Sequence, residues 1–234
     1  MKKIQKPYTL SVIIPVFNEA NTIQEIIQRV KDTDLVDEIV LVDDGSKDGT
    51  RRILTDYQNK PGIKIILHEK NQGKGAAIRT GLQAVTSDLV LIQDADLEYD
   101  PRDYPMLLQP INEGLADVVY GSRFLGGPRR PILFWNMVAN KILTFTTNIL
   151  YNNILTDMET GYKLFRREVV KDIRIRARSF DFEPEFTAKI LKKHIRIYEV
   201  PIRFTPRFYE EGKKIKMKDA FIAMWTLIKY RFVN

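Results

Sequence analysis

The sequence predicts an α/β layered sandwich built on a mostly parallel central sheet, and three observations carry that prediction. First, short runs that are apolar on both faces, such as LSVIIPV at 10–16 and DEIVLVDD at 37–44, alternate with stretches of helical periodicity. Strands buried on both faces need helices on both sides, as in parallel sheets with right-handed crossovers. Second, the polar motifs PVFNEA, DDGSKDGT and DADLE each follow such a strand. In open parallel sheets, functional groups gather beyond the carboxyl ends of the strands. Third, no internal repeat, low-complexity segment or long linker divides the 234 residues.

The elements follow in order. After the strand at 10–16, apolar residues at 23, 26, 27 and 30 make a helical stripe over 21–32, with Asn21 as its expected cap. A second strand spans 37–44, and Asp48 is expected to cap a helix over 49–60. The run IKIILHE at 63–69 is a third strand, and GAAIRTGLQAV at 75–85 a helix. DLVLIQD at 88–94 is a fourth strand, 102–113 a helix, and ADVVYGS at 116–122 a fifth strand. Beyond 122 the pattern changes. A Gly/Pro/Arg loop at 124–131 precedes the apolar, asparagine-broken segment 132–155. Residues 155–169 bring a glycine and two acids, 179–204 read as helix then strand, and 217–232 as a helix. One catalytic domain is expected over 1–215, followed by an amphipathic C-terminal helix over 216–234.

Composition narrows the chemistry. With no cysteine, disulfides and thiolate metal sites are excluded, and two histidines are too few for a histidine-rich site. Oxygen ligands remain, and these suit magnesium or manganese. Net charge is +7, from 37 basic and 30 acidic residues. The basic pairs concentrate after residue 122 while the carboxylate clusters precede it. That asymmetry points to an anionic partner such as phosphate or an acidic membrane surface. No groove-reading helix accompanies the charge, so nucleic acid is not expected. The start, MKKIQKPYTLSVIIPVFNEA, is broken by Pro7, Pro15 and Asn18 and is not read as a targeting segment. No window of 18 uncharged apolar residues predicts a membrane-spanning helix.

The motif DADLE poses the sharpest question. Asp94, Asp96 and Glu98 stand at i, i+2, i+4 with no basic residue among them. Like charges 4 Å apart repel by roughly 4 kcal/mol at an effective dielectric of 20. In an extended segment the three carboxylates leave on one side and can hold a divalent ion; a solvated acidic turn is the alternative. In DDGSKDGT, Asp44 can accept from a ribose or base, or simply close a turn. In NQGKGAAIRTG, Lys74 and two glycines open a helix and suit an anion, although the spacing fits neither a Walker A loop nor a dinucleotide fingerprint.

Taken together, VIIPVFNEA, VLVDDGSKDGT, NQGKGAAIRTG, QDADLE and YGSRF, in this order, resemble the family 2 glycosyltransferases of the GT-A fold. The likeness is to dolichyl-phosphate mannose and glucose synthases and bacterial polyprenyl-phosphate relatives, and it continues through TGYKLFRREV, YEVPIRF and RFYEEGK. The resemblance implies a peripheral enzyme on the cytoplasmic face of a membrane, taking GDP-mannose or UDP-glucose as donor and a polyprenyl phosphate as acceptor. It implies that Pro15, Phe17 and Glu19 hold base and ribose, with Phe17 where a tyrosine is common. Val42 and Asp44 would contact the nucleoside. Asp94, Ala95 and Asp96 would form the diphosphate–metal motif, with Glu98 as a third ligand in place of glutamine. Arg123, Arg207 and Lys213 would face the phosphates, and Lys74 the donor. Mg²⁺ or Mn²⁺ is the implied cofactor.

The acceptor decides what else is needed. A sugar hydroxyl needs a general base, for which Asp157 and Glu159 are candidates. A lipid phosphate needs none, only positive charge from Arg123, Arg129, Arg130 and Lys213. Segment 132–155 stands where relatives carry helices lying on the membrane, and its aromatics suit an interface; packing in the core or in a dimer is the alternative. A non-catalytic nucleotide-sugar-binding subunit is the reading from another class. The sequence leaves base, sugar and oligomeric state open.

Overall fold

A computed structural model describes residues 8–207 and 217–233. The motif at Lys213 therefore lies outside the described residues. Seven strands form one sheet: β1 (Leu10–Val16), β2 (Glu38–Asp43), β3 (Ile63–Leu67), β4 (Leu89–Ile92), β5 (Val118–Ser122), β6 (Lys163–Arg166) and β7 (Ile197–Pro201). Their order is β3-β2-β1-β4-β6-β5-β7. All neighbours are parallel except β6, which runs antiparallel to both β4 and β5. Eight helices surround the sheet: α1 (Ile23–Lys31), α2 (Thr50–Thr55), α3 (Lys74–Ala84), α4 (Tyr104–Asn112), α5 (Phe134–Tyr151), α6 (Arg167–Lys171), α7 (Phe182–Lys192) and α8 (Met217–Phe232).

The two-residue period of β1 divides the core. Leu10, Val12, Ile14 and Val16 pack with α1 and α4 on one face. Ile13 joins Val40 and Val42 on the other face, under α3, α7 and α8. Helix α1 buries Ile23, Ile26, Ile27 and Val30, the stripe its sequence predicts. Its cap is Thr22 rather than Asn21, and the Thr22 hydroxyl turns back to Glu19. Asp48 does serve the start of α2, accepting from the Thr50 amide at 3.1 Å, although the capping position itself is a left-handed Gly49.

Strand β6 was not expected. Its four residues lie inside TGYKLFRREV, too short and too charged to stand out, yet they wedge between β4 and β5. This insertion carries Glu159 and Gly161, just ahead of β6, back across the carboxyl end of β4 beside Asp94. Gly45 likewise has φ +80 and sits so close to the backbone of Lys70 and Asn71 that a Cβ would overlap it. The loop after β3 is thereby laid against the loop after β2.

Candidate functional site

One cavity of about 430 Å³ opens at the carboxyl ends of β1, β2 and β4. Its wall takes Pro15, Phe17, Glu19 and Asp44 from the first two loops, and Lys74 from the start of α3. Asp94, Ala95, Asp96 and Glu98 come from the loop after β4, Arg123 from the end of β5, and Arg207 from beyond β7. Glu159, Asn136 of α5, Glu183 of α7 and Asp219 of α8 complete it. Distant motifs thus converge because each follows a strand of the same sheet.

The acidic motif is not extended. Leu97 has φ 61, and the segment turns, yet Asp94, Asp96 and Glu98 all still line the cavity. Glu98 accepts the Arg207 amide at 2.6 Å, and its own amide donates to Asp96 at 3.2 Å. Glu98, expected as a third metal ligand, thus also straps this motif to the 204–207 segment while it lines the cavity. Among the described residues, no group of three His, Cys, Asp or Glu side chains is placed to hold a metal ion. The repulsion among the acids is met by protein cations: Lys74 Nζ lies 2.8 Å from Asp94, and Arg207 Nη2 3.2 Å from Asp96. These do not fully offset it. Burial, then Asp94 and Glu98, push the Asp96 carboxyl well above the usual range. Two cavity-facing carboxylates with hard oxygen donors fit a divalent cation, which Asp94 and Asp96 would hold.

Lys74 bridges Asp94 and Glu183, the latter at 3.0 Å. Burial alone would lower its ammonium, but Asp94 and Glu183 hold it well above the lysine range. Asp44 holds the loop that launches Lys74, accepting the amides of Gln72 at 2.9 Å and Gly73 at 2.7 Å and pairing with buried His68 at 2.7 Å. Glu19 pairs with Arg207 at 3.1 Å. Val42, expected to contact the nucleoside, has its side chain fully buried in the core beneath α3. It does not line the cavity.

Arg123 and Asp157 form a two-pronged pair, with Nε and Nη2 each 2.7 Å from a carboxylate oxygen, while the Arg123 amide adds a third bond at 3.0 Å. Asn140 donates to Asp157 at 2.9 Å, and Glu199 accepts the Thr156 and Asp157 amides. Burial would raise the Asp157 carboxyl, but Arg123 holds it below the usual range. Asp157, a candidate general base, is fully buried, off the cavity wall and closed on Arg123 by both oxygens. Arg123 also stacks over Phe204, 5.1 Å from the ring centre. Arg129 and Arg130 are exposed on the segment paired with Phe204, and the Arg129 guanidinium reaches the Arg123 carbonyl.

Glu183, Asn136 and Glu199 were missed. The available signal was a pair of acids in an apolar helix, SFDFEPEFTAKIL, where burial demands a partner. Of the five buried side-chain polar atoms left without a hydrogen bond among the described residues, four belong to cavity residues: Asn136 Nδ2, Glu159 Oε1, Glu183 Oε2 and Arg207 Nε. Such atoms are rare in folded proteins, and their convergence marks a ligand site. Gly161 backs this wall, where an added methyl would overlap Asp94 Oδ2 and the Tyr99 ring. A Gly161→Ala variant is therefore expected to fold but displace Asp94, weakening nucleotide binding in the presence of manganese by about tenfold, the weight of one hydrogen bond to a charged group. Calorimetry checks this.

The family model described as Glycosyl transferase family 2 matches residues 11–174. The chain belongs to glycosyl transferase family 2. It is 30% identical over 217 residues to a dolichol-phosphate mannosyltransferase of Pyrococcus furiosus, covering 91% of this chain and 60% of that protein. The chain thus spans about three fifths of that relative. It is 30% identical over 240 residues to a UDP-N-acetylglucosamine–dolichyl-phosphate N-acetylglucosaminyltransferase of Methanococcus voltae, covering 93% and 94% of the two chains. Glucosyl-3-phosphoglycerate synthase of Mycobacterium tuberculosis superposes with a TM-score of 0.76 at 20% identity, covering 97% of this chain and 81% of that one. That likeness shows the fold of this family 2 chain.

Proposed function

We propose that this family 2 chain moves a hexose from a nucleotide-diphosphate donor to a polyprenyl phosphate, with inversion at the anomeric carbon. The observation that carries the acceptor is the state of Asp157, whose two oxygens are closed on Arg123. A hydroxyl nucleophile needs a base to take its proton, whereas a phosphate is already ionised. Lys74, Arg123 and Arg207 bring three cations to the cavity, enough to hold two phosphate-bearing substrates together. Asp94 and Asp96 would hold Mg²⁺ or Mn²⁺, which when bound offsets the charge of the departing nucleoside diphosphate. The names of the Pyrococcus and Methanococcus relatives support a dolichyl-phosphate acceptor, and the mycobacterial neighbour was solved with Mn²⁺ and UDP.

The surface supports a lipid acceptor. Helices α5 and α8 pack together, with the Tyr151 hydroxyl donating to the Leu227 carbonyl at 2.7 Å. Both expose large apolar side chains: Phe134, Trp135 and Phe145 on α5, and Phe221, Trp225 and Phe232 on α8. Lys141, Lys218, Lys229 and Arg231 are exposed on the same two helices. Apolar faces edged with cations suit the surface of an anionic membrane. No helix among the described residues is long and apolar enough to cross one.

The hydroxyl-acceptor reading rests on Glu159, which lines the cavity with one unpartnered oxygen. The test is nucleoside diphosphate release with GDP-mannose, UDP-glucose or UDP-N-acetylglucosamine, with manganese, and either a polyprenyl phosphate or soluble sugars. Release that depends on the polyprenyl phosphate is expected. Release only with sugars overturns the lipid acceptor, and binding without release under any acceptor supports a non-catalytic subunit.

A further inference from the structure

We propose that Glu159, Glu183 and Asn136 form the hexose subsite and read the hydroxyls of the transferred sugar. This rests on the glycosyl-transfer reading and adds the residues that select the donor. Each residue lines the cavity, each holds a buried polar atom without a partner, and none belongs to the nucleotide motifs. Glu183 is 5% exposed, yet only one of its oxygens is engaged, by Lys74. Because Lys74 also holds Asp94, Glu183 stands one side chain away from the proposed diphosphate position. That is where the ring attached to the diphosphate must lie.

The chemistry of the three atoms selects the ligand. The Glu183 oxygen accepts, the Asn136 amide donates, and the Glu159 carboxyl, pushed up to about 8 by burial and by Glu183, can do either. An anion is repelled by the paired acids. An aliphatic group leaves all three atoms without hydrogen bonds, at a cost to binding. A neutral polyol satisfies them together, since each hydroxyl donates one bond and accepts others. Lys163 supports the arrangement from behind. It is fully buried, and its ammonium donates to the Met158 carbonyl at 2.9 Å and the Thr160 carbonyl at 2.6 Å, fixing the backbone on either side of Glu159.

The test measures the Kd of a nucleotide-sugar and of its parent nucleoside diphosphate by calorimetry with manganese. The donor is whichever of GDP-mannose, UDP-glucose and UDP-N-acetylglucosamine the wild type binds. Glu159→Gln and Asn136→Ala are each expected to weaken the sugar nucleotide about tenfold or more, the loss of one hydrogen bond in a dry site. The parent diphosphate should stay within about threefold by the same reasoning, which also reports that the variants fold. Glu183→Gln should raise the same ratio even if Lys74 shifts and both affinities fall. Discrimination among the three sugars should narrow in each variant. If both ligands weaken equally, or if turnover falls with the ratio unchanged, the subsite is overturned while the transfer reading stands. If the wild type binds the diphosphates but no sugar nucleotide, both fall.

Discussion

An Asp96→Asn variant is expected to lose transfer activity by about 10²–10³-fold while remaining folded. Asp96 is one of two cavity carboxylates fitted for the cation, and a preorganised charge at the departing group contributes several kcal/mol to the barrier. Each 1.36 kcal/mol is a factor of about ten. The metal-free fold should not suffer. Asp96 lies near Asp94 and Glu98, and all three acids share two protein cations. Removing one charge relieves that crowding, so the melting temperature of the metal-free protein should hold or rise. Glu98→Gln is the contrast. One oxygen of its carboxylate is already engaged by the Arg207 amide, so a loss of no more than about threefold is expected, less than one hydrogen bond to a charged group. Equal losses in the two variants would make Glu98 a third ligand. Full activity in Asp96→Asn would remove the cation site from this motif.

An Asp157→Asn variant is expected to lose both stability and activity. Removing one partner from a fully buried, two-pronged pair leaves the other charge uncompensated, which typically costs about 3–5 kcal/mol. For a chain of this length each kcal/mol moves the melting temperature by about 2–4 °C, so a fall of roughly 6–20 °C should appear in a thermal scan. Arg123→Lys keeps the charge but not the fork that meets both oxygens. It should lower turnover by more than about tenfold, the loss of one charge-assisted bond. The pH dependence follows from the sign of the shift. Arg123 holds the Asp157 carboxyl below its ordinary value despite burial. The pair's contribution is therefore present above about pH 4 and lost as pH falls through the lower folded value. Wild type and Asp157→Asn should converge in stability only in strong acid. If Asp157→Asn melts with the wild type at neutral pH and only its rate falls, the residue acts in chemistry after all.

Much of the frame was legible because it follows from burial. Strands β1, β2 and β4 are apolar on both faces, and only a covered parallel sheet hides them. The motif clustering was legible too, since strand ends of one sheet are neighbours whatever the connecting helices do. What escaped depends on tertiary contacts without a local period. β6 is a four-residue strand whose pairing with β4 and β5 is set by the chain's return path. The turn within the acidic motif escaped because the i, i+2, i+4 rule assumes an extended chain, and Leu97 turns it. Asp157 stood as a candidate base for a hydroxyl acceptor because its sequence shows a carboxylate but not the guanidinium it faces. Glu183 was passed over because the acids of α7 look like an exposed polar face until the fold shows nearly the whole helix buried.

The proposed function requires Asp94 and Asp96 to grip a divalent cation that in turn grips a pyrophosphate. Crystals grown with manganese and a nucleoside diphosphate, measured at a wavelength where manganese scatters anomalously, test it most directly. A single anomalous peak is expected in contact with both carboxylates and the diphosphate, with Lys74 turned from Asp94 toward a phosphate oxygen. A bound diphosphate with no peak there, and Asp94 and Asp96 still closed on Lys74 and Arg207, would contradict it.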